Sequence, residues 1–390
     1  MQADAGVPHN AITSSPGSQH GQVKAGRIFS SALLTLFVLA VATHSLVLSA
    51  AALGGAFFLV LRNLNALVAV APRHRTMLLL AGALLTLTLP FALLRSETAF
   101  LHYFVSLLTM LTAYLLTRWR DNYFRASRLV LYGSLGCVAG YLMTTGVQGF
   151  PLENMIPDSS SNGITSYLII LQANFCVASY LIRRKIPVFT PLLTLAICVV
   201  GYGRGSILSA VMIIVINIIA FSVRNGGRNF LMATGLCAVL VMAYGDDITL
   251  FVEANTKIGS GLYDGSREAM IKEYGNLLER DEYKIITGAD YKGTVIDSDY
   301  YGNPHNSYIR AHHIFGLPFL LLVLSFPFLA SRGQGIAARV YPFALLAVML
   351  FRAATEPILF PTMLDVFFFS TCFLMGMPKA PRIRTGVTYA

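Results

Sequence analysis

Arg204 stands alone among glycines in Gly201-Tyr202-Gly203-Arg204-Gly205-Ser206, between two apolar stretches. Glycines let the backbone bend and let another group approach it closely. An arginine inside hydrocarbon costs roughly 2.5–3.5 kcal/mol unless it finds a partner or water, and less near the boundary. Arg267 follows Gly265-Ser266 and opens a segment in which Met270, Ile271, Tyr274, Leu277 and Leu278 recur at helical spacing, the mark of an amphipathic helix starting at Ser266. A cation in a first turn opposes the helix dipole, so Arg267 calls for an anionic partner. His305-Asn306 stands at the start of another apolar stretch, followed by Arg310, His312 and His313. The positive end of a helix disfavours imidazolium, which keeps the His305 ring able to accept a proton near neutral pH. Arg352 and Glu356 lie four residues apart before Pro357, so they can pair on one helix face. Asp365 has no partner visible in the sequence.

Each of these also has a plainer reading. Arg204 could mark a membrane boundary, and Arg267 could pair with Asp264 in solvent. His305 could be an interfacial polar residue, His312 and His313 structural or pore-lining, and Arg352–Glu356 a structural pair. His44 reads as a helix-end residue. No DxD or paired-carboxylate spacing, metal-ligand cluster or phosphate-binding glycine loop stands out, so the sequence implies no cofactor, metal or ATP.

The elements that must position these residues are apolar. Hydrophobic residues make up 55% of the 390-residue chain and charged residues 12%, against about 25% charged in soluble domains. Hydropathy places twelve stretches near 28–44, 46–61, 77–94, 99–117, 127–146, 163–182, 188–202, 206–222, 230–244, 307–330, 341–355 and 361–377. The fold class expected is an all-α membrane protein of about twelve transmembrane helices. Residues 1–27 read as a disordered tail, followed by a retained first span. Helices one to nine fill 28–244, a partly helical outer loop 245–305, helices ten to twelve 306–377, and a second tail 378–390. Alternate gaps, with both tails, hold 19 bases against two acids; the other side holds ten bases against 17 acids. The positive-inside rule puts the basic side and both termini in the cytoplasm and the large loop outside. The net charge of +10 thus serves topology and anionic membrane lipid, and nothing argues for nucleic acid. Cys137, Cys176, Cys198, Cys237 and Cys372 lie in apolar stretches and read as core residues. His44-Ser45 makes a tight hairpin, Asp158 to Asn162 a plausible helix cap, and Tyr300-Tyr301-Gly302-Asn303-Pro304 a turn.

Taken in order, these pieces resemble the O-antigen ligase/O-antigen polymerase superfamily of polytopic glycosyltransferases. The matching elements are Gly203-Arg204-Gly205-Ser206, Gly265-Ser266-Arg267, Gly288, Thr355-Glu356, and His305-Asn306 followed after nine residues by Gly316. The ligase signature would carry Gly, Thr or Tyr three residues further on, where this chain has Phe319 beside Pro318. The resemblance covers roughly residues 190–360. It implies transfer of a glycan from undecaprenyl diphosphate to a sugar hydroxyl on lipid A–core, at the periplasmic face of a bacterial inner membrane. Arg204 and Arg267 would bind the diphosphate and His305 would be general base, without metal and with inversion. Asn306, Arg310 and Arg352 would help bind substrate. A polymerase of the same fold, joining lipid-linked repeats, and a non-enzymatic transporter of lipid-linked glycans are the alternatives.

Overall fold

The computed structural model describes residues 16–68, 70, 72–146, 151–156, 161–224 and 265–377. Residues 1–15 of the expected first tail, the whole of the second, the expected stretch 230–244, the loop to residue 264, Cys237, Asp264 and the cap residues 158–160 lie outside them. Every regular element among the described residues is helical. The long helices are α1 (Pro16–Thr43), α2 (Leu46–Arg62), α4 (Pro72–Leu93), α5 (Ala99–Arg118), α6 (Arg120–Thr145), α7 (Ser161–Ala178), α8 (Phe189–Val200) and α9 (Arg204–Arg224). After the short α3 (Leu64–Val68) and the undescribed stretch come α10 (Gly265–Glu279), α11 (Tyr283–Thr287), α12 (Val295–Ser298), α13 (Ser307–Ser331), α14 (Ile336–Thr355) and α15 (Asp365–Gly376).

Among the described residues eight helices are long and apolar enough to cross a membrane, and three more, α2, α8 and α15, are apolar but shorter. Together they fall on eleven of the twelve expected stretches. The differences lie at the ends. Helix α1 begins at Pro16, inside the expected tail, and α6 begins at Arg120, seven residues early. The outward faces carry exposed Leu79, Leu87, Leu129 and Phe328. Water would penalise that surface by about 25 cal/mol per Å², whereas hydrocarbon would not.

Helix α15 is the pillar of the bundle. All twelve of its residues are buried, and it packs against α5, α7 and α13. Its expected start at 361 is too early, because residues 357–364 form a buried turn before it. Asp365 holds that turn: one carboxylate oxygen accepts from Phe360 N–H and the other from Thr362 N–H, both at 2.9 Å. The partner that the sequence did not reveal is therefore backbone. Cys176, Cys198 and Cys372 are buried as expected, but Cys137 is exposed, because it points away from the contacts that α6 makes.

The segment 265–306 has a small core of its own, built from Met270, Tyr274, Ala289, Tyr291 and Ile296. Ile271, expected on the same apolar face, is 52% exposed. Two glycines dock this segment on α13. Gly316 has φ +73° inside α13 and breaks it. A methyl group there would run into the carbonyls of Ile286 and Thr287, and one on Gly288 (φ +91°) into the His312 carbonyl. His312 fastens the same contact. Its Nε2–H donates to the Ile285 carbonyl at 2.7 Å, and its Nδ1 meets the Tyr274 hydroxyl at 2.8 Å. Arg95 donates to the His313 carbonyl at 2.8 Å.

Gly316→Ala should therefore destabilise the protein by at least the strain of a left-handed alanine, about 1–3 kcal/mol. Gly136→Ala, in a helical position with nothing within 4 Å of an added methyl, should be neutral or stabilising by up to about 1 kcal/mol. Thermal melting of both variants in detergent checks this. Equal melting temperatures would refute the docking role of Gly316.

Candidate functional site

Three of the residues singled out from the sequence converge on one carboxylate. Helix α14 ends at Thr355, and Glu356 turns into extended backbone (φ −152°, ψ 148°). Its Oε1 accepts from Arg267 Nη2 at 2.8 Å, and Arg352 Nη2 lies 3.6 Å from the same oxygen. His305 Nδ1 lies 3.7 Å from Oε2. Side-chain exposure falls from 34% at His305 and 27% at Arg267 to 6% at Glu356 and 2% at Arg352. The anionic partner that Arg267 calls for is thus an acid of this chain, 89 residues away in sequence.

Burial pushes the Glu356 carboxyl up, but contact with His305 and the Arg352 and Arg267 guanidinium groups more than offset this, and it is held below the usual glutamate range. Two arginines against one acid leave the cluster with a surplus of positive charge.

Arg352 reaches the other elements. It donates through Nη1 to Thr355 Oγ1 at 2.5 Å and through Nη2 to the Asn162 carbonyl at 3.3 Å. A methyl group on Gly205 would lie 2.8 Å from its Nη1, and one on Gly203 would lie 2.5 Å from Asn162 Oδ1. The glycines around Arg204 do serve close approach, and what approaches them is Arg352 and the start of α7. Arg204 itself is half-buried as the first residue of α9, one residue from that contact.

His305 has φ +46°, and its N–H donates to Asn303 Oδ1 at 3.0 Å. The turn expected at 300–304 is present, with Asn303 N–H donating to the Tyr300 carbonyl and Gly302 N–H to the Ile296 carbonyl. Asn306 caps α13: its Oδ1 accepts from Tyr308 N–H at 2.8 Å and Ile309 N–H at 3.1 Å. That oxygen is committed to the helix rather than free for a substrate. What faces His305 Nδ1 is Glu356, so a carboxylate, more than the helix dipole, governs the ring. A proton on Nδ1 directed at Glu356 leaves Nε2 as the acceptor. The 3.7 Å separation exceeds a hydrogen bond, and such contacts commonly tighten only when substrate binds.

His305 and Glu356 line a cavity of about 820 Å³ together with Arg310, His313, Tyr291, Tyr167 and His102. His44 and Pro361 also reach it. Arg204, Arg267 and Arg352 are not among its lining residues. Arg310 donates to the Pro357 carbonyl at 3.1 Å. His313 stacks on Tyr291, ring centroids 3.8 Å apart, and its Nδ1–H donates to the Ala289 carbonyl at 2.6 Å. His312 is structural, as described above. Among the described residues no group of three or more His, Cys, Asp or Glu side chains is placed to hold a metal.

Three contributors are only partly legible in the sequence, or not at all. Glu356 was visible as half of a helical pair but not as the hub. His102 and Tyr167 come from helices outside the stretch of resemblance; the legible signal for His102 is a lone ionisable ring within an apolar helix. No protein-family model, curated protein or solved structure matches this chain.

Glu356→Gln would leave Arg352 buried without its counter-charge, which costs about 3–5 kcal/mol; Arg267→Gln should cost less, since Arg352 remains to pair with the acid. Because the folded Glu356 carboxyl titrates below its ordinary value of about 4.3, its contribution is complete above that value. It is lost as pH falls through the lower, folded value. Melting curves between pH 7 and pH 3 should show this acid loss in wild type and not in Glu356→Gln. Parallel curves would remove Glu356 from the role of counter-charge.

Proposed function

We propose that this chain is a multi-pass bacterial inner-membrane glycosyltransferase: an O-antigen ligase that transfers a glycan from undecaprenyl diphosphate to a sugar hydroxyl of lipid A–core. The observation that supports this reading most is the meeting of His305, Arg267 and Arg352 on Glu356 beside a large cavity. The cavity is lined by residues near 44, 96–98, 163, 301–305 and 356–363. Each lies in or beside a gap that the charge count assigns to the periplasmic side. The opposite end carries Arg120, Arg184 and the Arg183–Asp121 pair at 3.3 Å, in keeping with about twelve spans, cytoplasmic termini and a periplasmic site.

In this mechanism the acceptor oxygen attacks the anomeric carbon as the bond to the diphosphate oxygen breaks. His305 Nε2 takes the acceptor proton, Glu356 holds the imidazolium that forms, and the anomeric centre inverts. Arg204 and Arg267 lie outside the lining, so they act at longer range, drawing the diphosphate to this end through the positive surplus there. The leaving group is already activated, so neither nucleotide nor metal is required. A polymerase would use the same steps. The departure from the ligase signature at Phe319 does not favour it, since Phe319 is a core residue packed on Phe315, away from the cavity lining. A transporter would need the arginines and have no use for a base.

The test is glycan analysis of a deletion strain complemented with wild type, His305→Ala or Arg267→Ala. Loss of polymer from lipid A–core with retention on the carrier, restored by wild type and by neither variant, is expected. Removal of the base should slow transfer by about 10²–10⁴-fold. Single repeats on the core would indicate the polymerase. Full restoration by both variants would refute the site.

A further inference from the structure

The periplasmic side of the chain holds 17 acids against ten bases, yet the cavity has the opposite character. Among the described lining residues the one acid is Glu356, and it already faces Arg267 and Arg352. The one arginine or lysine among the described lining residues is Arg310, and His102 and His313 share that lining with it. These groups come from α5 and α13, which both pack against α4 and α15, so the bundle brings them to one cavity.

Each group is held by a bond that still leaves it donor capacity. Arg310 gives Nη1 to the Pro357 carbonyl, one of five N–H groups in a fork that suits phosphoryl oxygens. Asp365 is the charged group whose field reaches it, and both Asp365 oxygens already accept backbone N–H groups. His102 Nδ1 lies 3.4 Å from the Thr98 hydroxyl, which can donate to it and leave Nε2–H as a donor. His313 is fixed by its stack on Tyr291 and its bond to Ala289, and it would donate through Nε2 once an anion favours its protonation. A partly enclosed cavity strengthens such charge-assisted bonds.

We propose that Arg310, with His102 and His313, forms a phosphoryl-binding subsite in the cavity that receives the diphosphate of the lipid-linked donor. The assignment of the donor rests on the transfer reading above. It gives Arg310 a task distinct from that of Arg267, which is tied to Glu356 and outside the lining. It also puts anchor and base on one cavity, as a donor whose anomeric carbon is bonded to a phosphoryl oxygen requires.

The test is calorimetric titration of the full-length protein in phosphatidylcholine nanodiscs with inorganic pyrophosphate and with farnesyl diphosphate, repeated in nanodiscs containing phosphatidylglycerol. Wild type should bind both diphosphates. Arg310→Gln should weaken both by roughly tenfold or more, Arg310→Lys should fall between, and His102→Gln should weaken binding severalfold. Wild-type affinity in Arg310→Gln would overturn the subsite, even if His305→Ala still abolished transfer. If Arg310→Gln does not fold, wild-type affinity in both Arg310→Lys and His102→Gln would overturn it equally. Arg310-dependent pyrophosphate binding that phosphatidylglycerol abolishes, with no binding of farnesyl diphosphate, would support a phosphoryl site but overturn the donor assignment.

Discussion

A buried guanidinium must be matched by a buried carboxylate, and in this chain that requirement organises one whole end of the bundle. Arg352 is almost fully enclosed, and desolvated charge persists when it is paired and hydrogen-bonded. Glu356, four residues on, supplies the counter-charge. The same carboxylate then holds Arg267 of α10 and faces His305 ahead of α13. Arg352 meanwhile touches Gly205 of α9 and the Asn162 carbonyl of α7. Elements from five parts of the chain are located by one ion pair and its neighbours. A bare helix-face salt bridge contributes little at a surface; removal from water is what makes this one decisive.

The second constraint is backbone. His305 owes its position to the loop, and the loop owes its position to the break in α13. Gly316 and Gly288 lack the Cβ that would keep residues 285–289 off the helix, and His312 satisfies the Ile285 carbonyl exposed by that approach. The loop thereby closes its own small core and completes one wall of the cavity. Among these histidines the division of labour follows from hydrogen bonding. His312 has partners on both nitrogens, whereas His305 Nδ1 is buried without a hydrogen bond and faces a carboxylate.

Much of the helical architecture was legible because the hydrophobic effect writes it locally. Eleven apolar stretches and the Ser266 helix start emerge from composition and spacing alone. The candidate site residues were legible for a different reason: Arg204 and Arg352 are charged at the ends of apolar stretches, and Arg267 and His305 stand at helix starts, where a cation is disfavoured. What could not be read was the partner of each. The i,i+4 rule paired Glu356 with Arg352 correctly, yet gave no sign of contacts with Arg267 or His305, 89 and 51 residues away. Asp365 looked unpartnered because its partners are backbone N–H groups, which every residue carries. The glycines beside Arg204 signalled close approach, but not whose side chain would approach.

The N-terminal half of the chain makes the same point from the other direction. The resemblance is confined to roughly residues 190–360, but the cavity is closed by Thr98 and His102 of the α4–α5 turn and α5, and by His44 between α1 and α2. Residues with no motif around them share a volume with residues that have one. Spacing along one helix reveals chemistry that a single element can hold, such as Arg352 with Glu356. Chemistry divided between helices leaves in each an ionisable residue whose desolvation cost has no partner along the same helix. His102 in α5 and Arg310 in α13 are two such residues, and what they share is the cavity that both line.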